Sequence, residues 1–212
     1  PPMNPKTELI SRAYTSEFSI QANTITGLAA VYDSRTNIGN FFYEVIERGA
    51  FDETDLTDVL FFVNHDLSKI PLARSRRNNG NSSMTLKVDE RGLNIETNLD
   101  VENNADARSL TSAIKRGDIT GMSFLFSVKE DAWEELDAKI PTRRIKKIAR
   151  VREVSAVNFP AYDATEISAR ESRSLDSDLK ALENARAVLD KTKAEYEILK
   201  LKNRCIQMKV KG

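Results

Sequence analysis

From Glu171 to Lys211 the chain contains no proline, no glycine and one aromatic residue, Tyr196. Without helix breakers, a charged stretch of this length reads as one long helix rather than as strands and turns. Leu175, Leu182, Leu189, Tyr196 and Asn203 recur at seven-residue spacing, with Asp178, Ala185, Thr192, Leu199 and Ile206 as companions. That is a heptad seam, weak at its start and better toward its end, in which Asn203 at an a-type position favours a two-stranded register. A long amphipathic helix folded back on its own domain satisfies the same spacing. Either way the chain divides near residue 170, giving a domain over 1–170 and a helical, coiled-coil-like tail over 171–212.

The texture before that division is different. Short apolar runs, aromatics and turn signals follow one another from residue 7 to about 168. "FSIQANTITGLAAVYD" (18–33) alternates and breaks at Gly27, as an early strand pair would. "FYEVIERGAFDET" (42–54) reads as a strand end, a glycine turn and a short helix around Phe51, and "DVLFFVNHD" (58–66) as a buried strand. Met84–Val88 and Leu93–Leu99 form a strand pair across an Asp-Glu-Arg-Gly turn. Asn103 or Asn104 caps a helix whose apolar stripe includes Leu110, Ala113 and Ile114, and Gly117 closes it. Two further strand segments, 120–133 and 142–162, flank a loop containing proline. Many short strands with one internal helix imply an α+β fold: a mostly antiparallel β-barrel ringed by helices.

Composition removes several classes of function. In 212 residues, 32 basic side chains balance 32 acidic ones, so net charge points to neither nucleic acid nor an acidic membrane surface. No apolar run approaches the roughly 20 residues of a bilayer span, and the amino-terminal residues lack the layout of a secretory signal. Cys205 is the sole cysteine and His65 the sole histidine, so no intramolecular disulfide and no Cys/His zinc site can be assembled. There is no phosphate-binding glycine loop either. A reducing compartment is expected, with no cofactor and no metal. Cys205 lies off the heptad seam and reads as an exposed thiol; paired with His65 it would make a thiol protease, without any apolar cleft in sequence around it.

Any imidazole base must therefore be His65, which follows "LFFV" at the end of a buried strand with Asn64 and Asp66 beside it. "GDITGMSF" (117–124) places Ser123 inside an apolar strand. If the last two strands form a hairpin symmetric about Ala138, Ser123 falls opposite Glu153, and directly opposed residues share a face. Glu153 would then sit in a row with Ile145, Ala149, Val151, Ser155 and Val157, where a carboxylate wants a partner. Arg144, Lys146, Arg150 and Arg152 would form a solvated basic face. A serine hydroxyl becomes a nucleophile when a base removes its proton, and a carboxylate behind the imidazole fixes its tautomer. A serine strand that ends its life as a structural filler, and a histidine that merely closes a strand, fit these residues too.

The pieces "FYEVIERGAFDET", "NHDLSKIPLAR", "LKVDERGLNIE", "AIKRGDITGMSFLF" and "VREVSAVNFPAYDAT", in this order from about Thr7 to Ala169, resemble the prohead (capsid maturation) serine proteases of tailed bacteriophages. That family is similar in fold to herpesvirus maturation proteases. The chain departs from the usual pattern at Ala73, where "PLGR" is common, and at Leu125, where "GMSFGF" is common. The resemblance implies that His65 of "NHD" is the general base and Ser123 of "GMS" the nucleophile. Herpesvirus enzymes have a second histidine as third member; this chain has none, so an acid substitutes or the site is a dyad. Glu153 is the first choice and Asp66 the fallback.

The resemblance also implies the setting: a serine endopeptidase inside the phage procapsid, in the bacterial host cytoplasm. There it would cut scaffold or major capsid protein, with self-cleavage. The tail would tether the enzyme to scaffold and support a homo-oligomer, and neither nucleic acid nor membrane would be a partner. The contrasting reading is a non-catalytic capsid assembly protein, an idle barrel presenting a scaffold-like helix.

Overall fold

In the computed structural model the residues described are 9–15, 19–158 and 169–210. The last residues of the strand segment expected over 142–162, and the side chains of Asn203, Cys205 and Ile206, lie outside the described residues. The chain is α+β, with eleven strands and two α-helices among these residues. The strands are β1 (Ile10–Thr15), β2 (Ser19–Gln21), β3 (Thr24–Val31), β4 (Thr36–Ile38), β5 (Phe42–Ile46), β6 (Leu60–Val63), β7 (Ala73–Arg74), β8 (Met84–Val88), β9 (Gly92–Asn98), β10 (Gly121–Glu134) and β11 (Thr142–Val157). The helices are α1 (Ala105–Arg116) and α2 (Ala169–Val210).

Among the described residues the strands form two sheets rather than one closed ring. A seven-stranded sheet runs β1-β10-β11-β5-β4, with β6 joined to β11 and to β7; the other runs β2-β3-β9-β8. Pairing is antiparallel except that β5 and then β6 lie parallel to β11 along one edge. Both sheets contribute to one core, in which Ile25, Leu93 and Ile95 meet Phe61, Phe124, Phe126 and Ile148. Burial of these side chains from both sheets is the main apolar stabilisation.

Several elements differ locally from the sequence reading. Gly27 lies inside β3, and the early hairpin turns instead at Ala22, whose φ is 53°. No helix forms around Phe51; turns closed by Ala50 N–H to Glu47 O and Asp52 N–H to Gly49 O occupy the segment. Gly49 has φ 85°, which interrupts any helical run there. Helix α1 matches its expected signals. The Asn104 side chain accepts from the amides of Asp106 and Ala107, and Gly117 closes the helix at φ 78°.

The long β10–β11 hairpin keeps the symmetric register from its loop, where Glu134 faces Thr142 and Asp131 faces Ile145, with one slip at Glu130, out to Val128 facing Ile148. Successive bulges then shift the pairing, so that Ser123 faces Ser155 and Glu153 faces Leu125. The bulges also replace simple alternation on β11. Its core residues are Ile145, Ile148, Val151, Val154 and Ala156, not the row expected from a regular strand. Arg144, Lys146, Arg150 and Arg152, the expected basic face, are all exposed or half-exposed, whereas Arg143 beside them is buried.

Helix α2 begins against the sheet and ends away from it. Leu182 and Asp178 are buried, whereas Tyr196, Leu199 and Leu201 are more than half exposed. Asp178 accepts from Arg12 on β1 and Arg143 on β11, both at 2.6 Å, while Arg12 also contacts Glu44 of β5 at 2.6 Å. Burial opposes the charge on Arg12, but Glu44 and Asp178 outweigh it and hold its pKa above the ordinary arginine value. The same opposition raises Arg143, with Asp131 as a further anion. So the near half of α2 follows the folded-back reading. Removing one member of such a buried cluster strands its partners. Asp178→Ala is therefore expected to cost about 3–5 kcal/mol, read as a lowered denaturation midpoint, whereas Glu195→Ala on the exposed half should leave the midpoint unchanged.

Candidate active site

β6 runs parallel to the last part of β11, pairing Phe62 with Ser155 and Val63 with Ala156. The chain then leaves the strand through two residues in left-handed backbone, Asn64 at φ 51° and His65 at φ 56°. Asparagine adopts this conformation readily; for histidine it costs of order 1–3 kcal/mol. The turn is held by Asn64 N–H to Ala156 O at 2.9 Å and by Asn158 N–H to the Asn64 side-chain oxygen at 3.1 Å. His65 N–H donates to Ser155 Oγ at 3.1 Å. These bonds bring the imidazole back over β10 and β11 instead of letting it continue along the strand.

The ring lies between Ser123 and Glu153. His65 Nε2 is 2.6 Å from Ser123 Oγ, and Nδ1 is 2.7 Å from Glu153 Oε2. Ser123 and Glu153 are fully buried, while the histidine side chain keeps 11% exposure at the surface of the site. An ionised carboxylate only accepts hydrogen bonds, so Glu153 selects the tautomer with hydrogen on Nδ1. Nε2 is then free to accept the Ser123 hydroxyl proton. The other oxygen of Glu153, Oε1, accepts from Ser155 Oγ. Ser155 thus receives the His65 backbone amide and donates to the carboxylate, fixing imidazole and carboxylate relative to each other.

The three residues singled out from sequence are brought together, although by a different register. The bulges move Glu153 two positions from its expected place opposite Ser123. Because two residues is one full period of a strand, the two side chains still share a face. Asp66 is not brought to the ring. Its carboxylate is exposed and accepts from the Ser68 amide at 3.1 Å and the Ser68 hydroxyl at 2.5 Å, which hold its pKa below the usual carboxylate range. Two serines went unassigned in sequence. Ser155 had a signal, lying two residues from Glu153 on the same strand face. Ser11, on β1, sits 3.0 Å from His65 Nε2 and 3.2 Å from Ser123 Oγ, and no motif marks it.

A cavity of about 360 Å³ opens beside the histidine turn, between that loop and α1. Phe62, Leu72, Leu110 and Ile119 give it apolar walls; Asp66 and the Lys69–Asp106 ion pair lie among its polar groups. Among the described residues, no group of three or more His, Cys, Asp and Glu is arranged to hold a metal ion, and no helix is long and apolar enough to cross a membrane.

Hydroxyl, imidazole and carboxylate in hydrogen-bond series, carried on a β scaffold, form the arrangement by which serine hydrolases activate an alcohol. The family model described as caudovirus prohead serine protease matches residues 9–204, and the chain belongs to that family. It is 31% identical over 150 residues to the prohead protease of Enterobacteria phage HK97, across 69% of this chain and 59% of that protein's length. The capsid assembly protease of bacteriophage T4 is a structural neighbour with TM-score 0.44 and 12% identity, over 72% of this chain and 98% of the other.

Glutamine at 153 would keep the shape but present a donor as readily as an acceptor to Nδ1. Glu153→Gln is expected to slow covalent labelling of Ser123 by a fluorophosphonate at least about 100-fold. Asp66→Asn should change that rate by less than about twofold, since the exposed Asp66 has no place in the relay. Second-order labelling rates for the two variants, compared with the parent, check both expectations.

Proposed function

We propose that the chain is a serine endopeptidase of phage head maturation, with Ser123 as nucleophile, His65 as general base and Glu153 as the acid that orients it. The observation that carries this reading is the unbroken series from Ser123 Oγ through the imidazole to Glu153, at 2.6 and 2.7 Å. Membership of the prohead serine protease family supports it independently.

In the proposed reaction, His65 Nε2 takes the Ser123 proton as Oγ attacks a peptide carbonyl. Glu153 stabilises the imidazolium that forms. The imidazolium then gives its proton to the leaving amine, which departs and leaves an acyl-enzyme. Water, activated by the same nitrogen, releases the acid product and restores the serine. The buried position of Ser123 limits attack to a segment that can be laid against the site. An extended peptide passing the apolar cavity would meet that condition.

The substrates proposed are segments of scaffold or major capsid protein inside the procapsid, within the host cytoplasm, with self-cleavage among the reactions. The domain over 1–170 would carry the chemistry. The tail over 171–212 would tether it to scaffold, and its exposed outer half, with Tyr196 and Leu199, offers a seam for a homo-oligomeric coiled coil. The contact of Arg12 on β1 with Glu44 on β5, strands separated by β10 and β11 in the sheet, requires strong coiling. That coiling is what favours a barrel-like enclosure over two flat sheets.

The test is cleavage of scaffold or capsid protein, followed on a gel. Parent protein is expected to generate fragments and Ser123→Ala to reduce the rate at least about 10³-fold. Equal cleavage by both would overturn the assignment of the nucleophile. Absence of cleavage by the parent would favour the non-catalytic assembly protein.

A further inference from the structure

Among the described residues, Ser11 is the one polar side chain within hydrogen-bond distance of the reacting atoms that the relay leaves without a role. It lies on β1, at the edge of the large sheet, directly opposite Leu125 and next to the Ala13–Ser123 pair. It is 4% exposed. Its hydroxyl oxygen is within hydrogen-bond distance of both reacting atoms, 3.0 Å from His65 Nε2 and 3.2 Å from Ser123 Oγ.

These three polar atoms share few hydrogens. With Nδ1 protonated toward Glu153, Nε2 offers a single lone pair in the ring plane. Two hydroxyls face it, and only one can use it well. The Ser123 contact is the shorter, 2.6 Å against 3.0 Å, so the Ser123 hydrogen takes the lone pair. The Ser11 hydrogen is then left to donate to Ser123 Oγ. In the reverse arrangement Ser11 would occupy Nε2, and the base could not accept the Ser123 proton.

We infer that Ser11 is a further catalytic residue, a hydroxyl that donates to the Ser123 oxygen as its own proton passes to His65. Negative charge develops on Oγ during that transfer, and a hydrogen bond to a charged acceptor is stronger than one to a neutral oxygen. The Ser11 bond therefore strengthens on the way to attack. Once Oγ is acylated it becomes a poor acceptor, and the Ser11 oxygen is available to the Nε2–H of the imidazolium. No proton is consumed by Ser11, which begins and ends each half-reaction as a neutral hydroxyl.

The surrounding fold keeps this hydroxyl from wandering. The ladder with β10 fixes Ser11 on one side. On the other, the Arg12 guanidinium donates to the Ser11 carbonyl at 2.9 Å while Glu44 and Asp178 hold it. A buried ion cluster thus anchors the backbone of a residue that touches the nucleophile.

The inference rests on the serine-hydrolase reading, and the experiment separates the two. The probe is a fluorophosphonate, with the site of attachment found by mass spectrometry and folding followed by thermal melting. Ser11→Ala is expected to label at Ser123 about tenfold more slowly than the parent, with unchanged melting. Ser11→Thr, which restores the hydroxyl, should recover to within about twofold. Labelling of Ser11→Ala at the parental rate or faster overturns the role of Ser11 while leaving the relay intact. A parent that does not label at Ser123 overturns both. If Ser11→Ala melts early, Ser11→Cys, a weak donor of similar size, takes its place with a rate between those of alanine and threonine expected.

Discussion

β11 hydrogen-bonds to β10 along one edge and to β5 and then β6 along the other, so its backbone is located from both sides. That pairing sets the distance between a serine on β10, a glutamate on β11 and a histidine just past β6. None of these three side chains needs a long reach. Each projects from a strand or strand end whose neighbours are already hydrogen-bonded. The bulges in the hairpin are part of this arrangement. They coil the strands and bring Ser155 opposite Ser123, where it ties the His65 amide to the Glu153 carboxylate.

A second fixed structure lies one residue from the site. Arg12, Glu44, Arg143 and Asp178 neutralise one another in a buried cluster contributed by β1, β5, β11 and α2. Buried ions of this kind add less stability than specificity, because their desolvation cost nearly matches their attraction. Here the specificity concerns where α2 crosses the sheet and where β1 lies against β10. The helix that reads in sequence as either a coiled coil or a folded-back element is thus bound, through Asp178 and Arg12, to the strand that carries Ser11.

Much of this was legible from residue types. The Asn104 cap, the Gly117 stop and the stripe of Leu110 and Ile114 define α1 because capping and periodicity are local. A lone histidine after "LFFV" and a serine after "GM" single out the two residues proposed as base and nucleophile. Glu153 still reaches the imidazole despite an incorrect register, because the bulges displace the pairing by two residues, which preserves the face. What the chain did not disclose was non-local. Nothing beside Arg143 distinguishes it from the exposed Lys146, since its burial depends on Asp178 folding back from far along the chain. Ser11 is equally silent, being a small hydroxyl near the amino end that matters only once β1 pairs with β10. The division of the strands into two sheets was not legible either, because strand number alone does not determine which edges pair.

The central claim is that His65 holds a proton toward Glu153 and keeps Nε2 open to Ser123. Because His65 is the only histidine, nitrogen-15 NMR of the histidine-labelled protein reports this ring without ambiguity. The account predicts that in the neutral ring Nδ1 carries the hydrogen, in a hydrogen bond lost in Glu153→Ala, and that Nε2 is bare. A neutral ring protonated at Nε2, with Nδ1 bare, would contradict it, since such an imidazole could not receive the serine proton.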